Sequence, residues 1–240
     1  MSKSDPIKWT KLLAESAAIV ASILLAFAID AWWDERKERR YEQETVLGLK
    51  AEYEEHYKDI SWQIDFHGEL LRGITTLLQA CSMGRYEDAG ASIDDAVWAS
   101  LVPVTTDLGS SVRDSLINSG RIEIISNIEL RKKLADWDRY VDELTDTQLD
   151  SADLVRDQLM PYYAKHGIGL AHGNTDKDGT PWPIVTKPSN PNSEAFALLF
   201  KDRAYCTTLE FRYANMNHTL DEYRYVLEAI EEIQSLLEEP

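Results

Sequence analysis

The chain has 240 residues, with 25 Lys/Arg against 42 Asp/Glu and a formal charge of -17. That length supplies one domain of ordinary size plus an anchor, with ample material for a buried core. The charge is segregated: residues 1–40 hold seven Lys/Arg and six Asp/Glu, leaving 18 against 36, or -18, for residues 41–240. So acidic a domain repels nucleic-acid phosphates and anionic headgroups, and no nucleic acid is expected as a partner.

The first element is an apolar helix from Leu12 to Trp33, LLAESAAIVASILLAFAIDAWW. Its 22 or so residues make about 33 Å of helix, matching a hydrocarbon core of roughly 30 Å. Lys3, Lys8 and Lys11 before the run and Ala26-Phe27-Ala28 within it also fit a signal peptide. Against that alternative, Glu15 opens the run and the helical pattern continues unbroken through Asp30 into Trp32 and Trp33. Tryptophans there suit the aromatic belt of a membrane surface, with Arg36 and Lys37 as further interface anchors.

Within this helix Ala14, Ala18, Ser22 and Ala26 repeat every four residues and lead to Asp30, a small-xxx-small face that lets helix backbones approach closely. Glu15 and Asp30 lie about 22 Å apart along the axis and about 60° apart around it. They read either as a polar contact to another subunit or as two snorkelling carboxylates at the ends of the span. Ala14, Glu15, Ala18, Ser22, Ala26 and Asp30 form the candidate interaction face. Three lysines precede the helix, and Arg36, Lys37, Arg39 and Arg40 follow it, so positive charge nearly balances across the span. The short N-terminal tail tips the reading to a single-pass protein of a bacterial inner membrane with a periplasmic domain.

The run from Glu15 through Ser22-Ile23-Leu24-Leu25-Ala26-Phe27-Ala28-Ile29-Asp30 to Trp33-Asp34-Glu35-Arg36-Lys37 resembles a widespread family of uncharacterised bacterial single-pass membrane proteins. Their membrane helix has an early acidic residue and ends in a Trp-x-Glu-Arg-Lys signature. A second similar segment is Ser115-Leu116-Ile117-Asn118-Ser119-Gly120-Arg121-Ile122-Glu123-Ile124-Ile125, followed by Asn127 and Glu129-Leu130-Arg131. The shorter N-terminal tail, the Trp32-Trp33 pair and Asp34 depart from the commoner form. The resemblance implies an anchor and a helical domain, with no activity and no catalytic residues to carry over.

Beyond Trp33 no proline interrupts the chain before residue 103, and charges alternate in sign as on a solvated helix continuous with the anchor. Apolar positions recur as Val46, Tyr53, Ile60, Ile74 and Cys81 on one heptad position and Tyr57, Ile64, Leu71 and Leu78 on the other. His67 fills the gap as a core-edge histidine with a hydrogen-bond partner. Glu52, Glu54, Glu55, Asp59 and Asp65 read as a solvated face. Gly84 and Gly90 bracket a turn, and Ser92 caps a short helix ending before Pro103. A helix is expected from Thr106 to Asn118, broken at Ser119-Gly120. Residues 121–125 are too few for a convincing sheet. Asn127 then caps a long helix through Trp137, Tyr140, Leu144, Leu149, Leu154 and Leu159, interrupted or ended near Pro161.

Residues 166–192 hold four of the eight prolines and form the one long irregular segment. In it Asn174, Asp176, Asp178 and Gly179 copy half of a calcium loop, but Val185 stands where the bidentate Glu belongs, so an Asx-rich turn is expected. A helix from Ser193 to Phe200 precedes a long one from Arg203 to Leu237, whose stripe of Leu209, Tyr213, Met216, Leu220, Tyr223, Leu227, Ile230 and Leu237 should pack on the first long helix.

The expected fold is all-α: a tail (1–11), a single N-terminal transmembrane helix (12–33) and an acidic bundle of about four main helices (34–240). Cys81 and Cys206 lack metal-site spacing; one bridge is open to them, but two buried free thiols are the blander reading. His56, His67, His166, His172 and His218 are scattered, and no Glu-x-x-His, Cys-x-x-Cys, phosphate loop or Gly-x-Ser-x-Gly elbow occurs. No enzyme, catalytic residue, cofactor or metal is therefore expected. The expected function is a membrane-anchored scaffold or accessory subunit that self-associates or docks on a membrane assembly, its other partner being the lipid bilayer. The alternative is a ligand-sensing or ion-binding bundle using the 166–192 loop.

Overall fold

A computed structural model describes residues 9–86, 92–103, 105–169 and 193–238, with side chains from residue 16 onward at the N-terminal end. Among the described residues there is no strand. The first helix, α1 (Trp9–Met83), runs 75 residues without a break, about 110 Å at 1.5 Å per residue, so the apolar run and the first bundle helix are one rod. Among the described residues it is the one helix long and apolar enough to cross a membrane, and none of its apolar window is buried against the described bundle.

Beyond the apolar run the chain forms four limbs. The first is the distal part of α1. The second returns toward the apolar run and is broken into α2 (Ile93–Leu101) and α3 (Ser111–Asn118), the described residues between them being non-helical. After a 3-10 turn at Ile122–Ile124, α4 (Ile128–Leu154) leads the third limb away again, and α5 (Met160–Lys165) completes it. Then α6 (Glu194–Leu199) crosses the far end, and α7 (Arg203–Glu238) comes back along α1 as the fourth limb.

The caps read from sequence are present. Ser92 accepts from the Asp95 N–H at 3.1 Å, and Asn127 accepts from those of Glu129 and Leu130 at 3.0 and 3.1 Å. Gly84 and Gly120 take φ of 65° and 68°, a conformation costly for residues with a Cβ, which closes α1 and α3 in the same way. In each, the glycine N–H and the next N–H return to carbonyls of the last turn: Cys81 and Ala80 in one, Ile117 and Leu116 in the other.

Two departures, and the choice at Pro161 between an interrupted and an ended helix, have physical causes. First, α3 begins at Ser111, not Thr106, because the Thr106 N–H is drawn across the bundle to Gln148 Oε1 at 3.2 Å. Second, Pro161 does not end its helix. Proline has no N–H and crowds the carbonyl four residues back; a π turn at Val155–Leu159 widens the helix just before it, and the chain continues to Lys165. Third, the α1 seam runs through Leu49, His56, Gln63, Leu70 and Leu77, paired with Tyr53, Ile60, His67 and Ile74, all buried. Tyr57, Ile64, Leu71 and Leu78 flank it half-buried. On α7, likewise, Tyr213 is exposed while Val226 and Ile233 are buried.

Two apolar clusters stack along the bundle. One joins Leu49, Tyr53 and Ile60 to Leu134, Trp137 and Tyr140 of α4 and Val226, Ile230 and Ile233 of α7. The far one joins Leu77 and Ala80 to α2, Leu159, Tyr163, Phe196, Phe200 and Tyr205. Between them Leu70, Ile74, Ala99 and Met216 make a thinner contact.

The cysteines correct the free-thiol reading: Cys81 and Cys206 form a disulfide that ties the last turn of α1 to the first turn of α7. Their distance in sequence hid what the antiparallel packing of α1 on α7 brings together. Replacing both by serine should cost about 2–4 kcal/mol, because the open chain regains the entropy of a long loop. Urea unfolding with and without reductant checks this, the double variant matching the reduced protein.

Candidate functional site

The candidate interaction face lies on α1. Ala18, Ser22, Ala26 and Asp30 are exposed, and Ala14 and Glu15 fall in the first turns, where only the helical backbone is described. The Ser22 hydroxyl donates to the Ala18 carbonyl at 2.7 Å, so its proton is satisfied within the helix. Trp32 and Trp33 are both exposed, with ring centroids 5.8 Å apart. The Arg36 guanidinium lies over the Trp32 ring, 5.7 Å from its centroid. Sequence reading missed that Arg39, Arg40 and Gln43 share a groove with Trp32 and Arg36; their spacing of four, seven, eight and eleven residues from Trp32 carries the signal.

One turn further, the rod is tied to the bundle. Arg121 stacks over Tyr41, 3.8 Å from the ring centroid, and the Ser126 N–H donates to Glu42 Oε1 at 2.7 Å. Thus the segment after Trp33 and the segment from Ser115 to Arg131 meet at this end. Arg113, buried beneath them, donates to the Leu134 carbonyl at 2.7 Å and to Asp114 and Asp138 at 2.7 and 2.6 Å. Those carboxylates hold its guanidinium above its ordinary range despite the opposing effect of burial, the largest single influence.

A second concavity lies between α1 and the stretch leading into α3, lined by Glu52, Glu55, His56, Asp59, Asp107 and Ser111 among others. Glu52 corrects the solvated-face reading of the α1 carboxylates. It is buried and accepts from the Val112 and Arg113 N–H groups at 2.7 and 3.2 Å, capping α3 from another helix. Glu54, Glu55, Asp59 and Asp65 are exposed as expected. His56 shares a 3.2 Å hydrogen bond with Ser110 and stacks on Trp137 at 5.5 Å. The Val112 and Arg113 amides beside this His–Ser pair are committed to Glu52 and are not free as oxyanion donors. Among the described residues no group of three or more His, Cys, Asp or Glu is placed to hold a metal ion.

Arg212 on α7 is fully buried. Its guanidinium donates to the Ser100 carbonyl at 3.2 Å, the Val102 carbonyl at 2.7 Å and the Ser151 hydroxyl, closing the C-terminal end of α2. Burial pushes its pKa down to about 10, so it stays charged at neutral pH. Beside it Tyr163 bonds Ser100 at 2.8 Å and Tyr205 at 2.9 Å, and burial pushes the Tyr163 hydroxyl up to about 12. Arginine reads as surface in a sequence scan, which is why Arg212 went unnoticed within its stripe.

The half calcium loop at Asn174, Asp176, Asp178 and Gly179, and nearly all of the 166–192 loop, lie outside the described residues. No protein-family model matches the chain, and no curated protein and no solved structure matches it.

Two predictions follow from the buried polar groups. Glu52→Ala strips the cap from α3 and should lower stability by about 1–3 kcal/mol, read by urea unfolding; a loss within error would show that the α3 amides find other partners. His67 bonds the Gln63 carbonyl at 2.9 Å and packs on Tyr223. Burial depresses His56 and His67 below the ordinary 6.5. The unfolded chain therefore binds more protons below that value. Their contribution to stability is fully present above 6.5 and is lost as pH falls from there through the folded-state values. The urea midpoint should fall between about pH 7 and about pH 5, and His67→Phe should flatten that fall.

Proposed function

We propose that this chain is a non-catalytic, membrane-anchored helical scaffold or accessory subunit of a bacterial inner membrane, which self-associates or docks on a membrane protein through the Ala14, Ala18, Ser22 and Ala26 face of α1. The observation that carries the reading is the wholly uncovered apolar run, continuous through one unbroken helix with a well-packed bundle. A soluble protein exposing Ile19, Ile23, Leu24, Leu25, Phe27 and Ile29 together would aggregate, whereas a bilayer covers them. Small residues on one side of the helix permit the close backbone approach that drives association in lipid.

The disulfide supports the periplasmic side for the bundle, since such bonds persist in oxidising compartments and are rare in the cytoplasm. The buried Glu52, Arg113 and Arg212 are taken up in holding the bundle's own backbone, which supports a structural role for its polar interior.

Cross-linking in native membranes, followed by identification of the linked species, tests this reading. A dimer or a membrane-protein adduct is expected from the wild type. Ala18→Leu with Ser22→Leu should reduce it about tenfold while leaving membrane insertion intact, because larger side chains hold the backbones apart. Monomers alone from the wild type, or adducts unchanged in the double variant, overturn it.

A further inference from the structure

We propose that the face of α1 formed by Trp32, Arg36, Arg39, Arg40 and Gln43 binds the phosphate of an anionic phospholipid headgroup. The inference rests on the membrane reading above and adds to it a site of defined ligand chemistry.

The five side chains line one groove of about 300 Å³. At 100° per residue they fall on one side of the helix, with Arg36, Arg39 and Arg40 about 6, 10 and 12 Å beyond Trp32. The headgroup layer of a bilayer is roughly 5–8 Å thick on each side of its core. Side chains of an α-helix lean toward its N-terminus, and here the N-terminal direction is the apolar run. The arginines therefore lean back toward the plane of Trp32; Arg36 already lies over that ring and Arg39 reaches Glu35 one turn back.

Arginine is suited to this place because its planar fork of donors matches two phosphate oxygens at once. Arg36 and Arg40 enter no ion pair among the described residues, so their charges are available; Arg39 is shared with Glu35. Gln43 adds an amide donor at the upper rim. The neighbouring groove on the same turns serves as an internal contrast. Asp34, Glu38 and Glu44 line it together with Lys37, Arg40, Tyr41 and Arg121, so it presents both signs and no net attraction for an anion. Beyond residue 40 the chain is strongly acidic and repels an anionic surface, so attraction is concentrated on the turns just after Trp32, where a smaller groove of Trp33, Arg36, Lys37 and Arg40 adjoins the proposed one and shares Arg36 and Arg40 with it. The ligand is assigned to lipid rather than free phosphate because the groove adjoins the uncovered apolar run, so acyl chains and headgroup would be met together.

The test uses the full chain in nanodiscs of mixed phosphatidylglycerol and phosphatidylcholine, with the lipids retained on release counted by native mass spectrometry. The wild type should retain phosphatidylglycerol over phosphatidylcholine on the order of tenfold, and Arg36→Gln with Arg40→Gln should bring the ratio to near parity. Both positions lie outside the bundle core, and circular dichroism should show the same helix content in the variant. Parity in the wild type, or a preference unchanged in the variant, overturns the site. Loss of bound phosphatidylglycerol on adding inorganic phosphate overturns the assignment to lipid. Flotation with pure phosphatidylcholine vesicles separates the two readings: wild type and variant should float alike. If the wild type does not float, the anchor reading fails; if it floats while the nanodiscs show no headgroup preference, only the headgroup site fails.

Discussion

Between the end of α2 and the start of α3 the described backbone is not helical, and the polar backbone groups of Ser100, Val102, Thr106 and the first turn of α3 are met by side chains from other helices. Arg212 takes the carbonyls of Ser100 and Val102 at the end of α2. Gln148 accepts from the Thr106 N–H and donates to Tyr223, whose hydroxyl also bonds Thr106 at 2.9 Å. His56 meets Ser110, and Glu52 takes the first amides of α3. These partners come from α1, α4 and α7, so the broken limb holds the three long helices in register as much as they hold it. A continuous second helix would need none of these groups. Removing one leaves its partners buried and unpaired, the costly side of the hydrogen-bond balance.

The same constraint explains which features are legible from residues alone. Caps and stops are local, and Ser92, Gly120 and Asn127 declare themselves by residue type within a few positions of the backbone they serve. The helical class, the continuity of α1 and the packing of α7 along it follow from periodicity. The exact seam of α1 does not, because His56 and Gln63 stand at two of its five central positions and a scan for apolar residues moves to the flanking Tyr57 and Ile64. His56 belongs there because of partners outside α1, the Ser110 hydroxyl and the Trp137 ring. The start of α3, the cap from Glu52 and the Cys81–Cys206 bond are non-local in the same sense. Of the candidate site, the small-residue stripe and the tryptophans are visible in sequence, whereas the groove with Arg39, Arg40 and Gln43 emerges only when the residues after Trp32 are wound into a helix.

From Trp33 to Cys81 the first helix rises about 72 Å, and the disulfide sits at its far end. Near the apolar run, Arg121 on Tyr41 and Ser126 on Glu42 hold the rod to the bundle. Fixed at both ends, α1 cannot turn about its axis relative to the other limbs without breaking these contacts. The side of α1 that the apolar run presents is thus related, along one continuous helix, to the side on which the bundle sits.

That relation has a definite sense. At 100° per residue, the face of Ala18, Ser22 and Ala26 lies roughly opposite the seam of Leu49, Tyr53, His56 and Ile60. Two copies meeting through the small-residue face would set their first helices back to back, with the bundles outward and the polar interiors undisturbed. Leu47 and Trp62, 67% and 59% exposed, fall on this same outer side of α1, with Phe66 stacked 5.0 Å from Trp62. Apolar side chains left uncovered there would lie beside the continuation of such a contact beyond the membrane. The rod would then carry one interaction surface along its length: small residues where lipid surrounds it and larger apolar ones where water does. This division follows the physics of each medium, since close backbone packing drives association in lipid and burial of apolar area drives it in water.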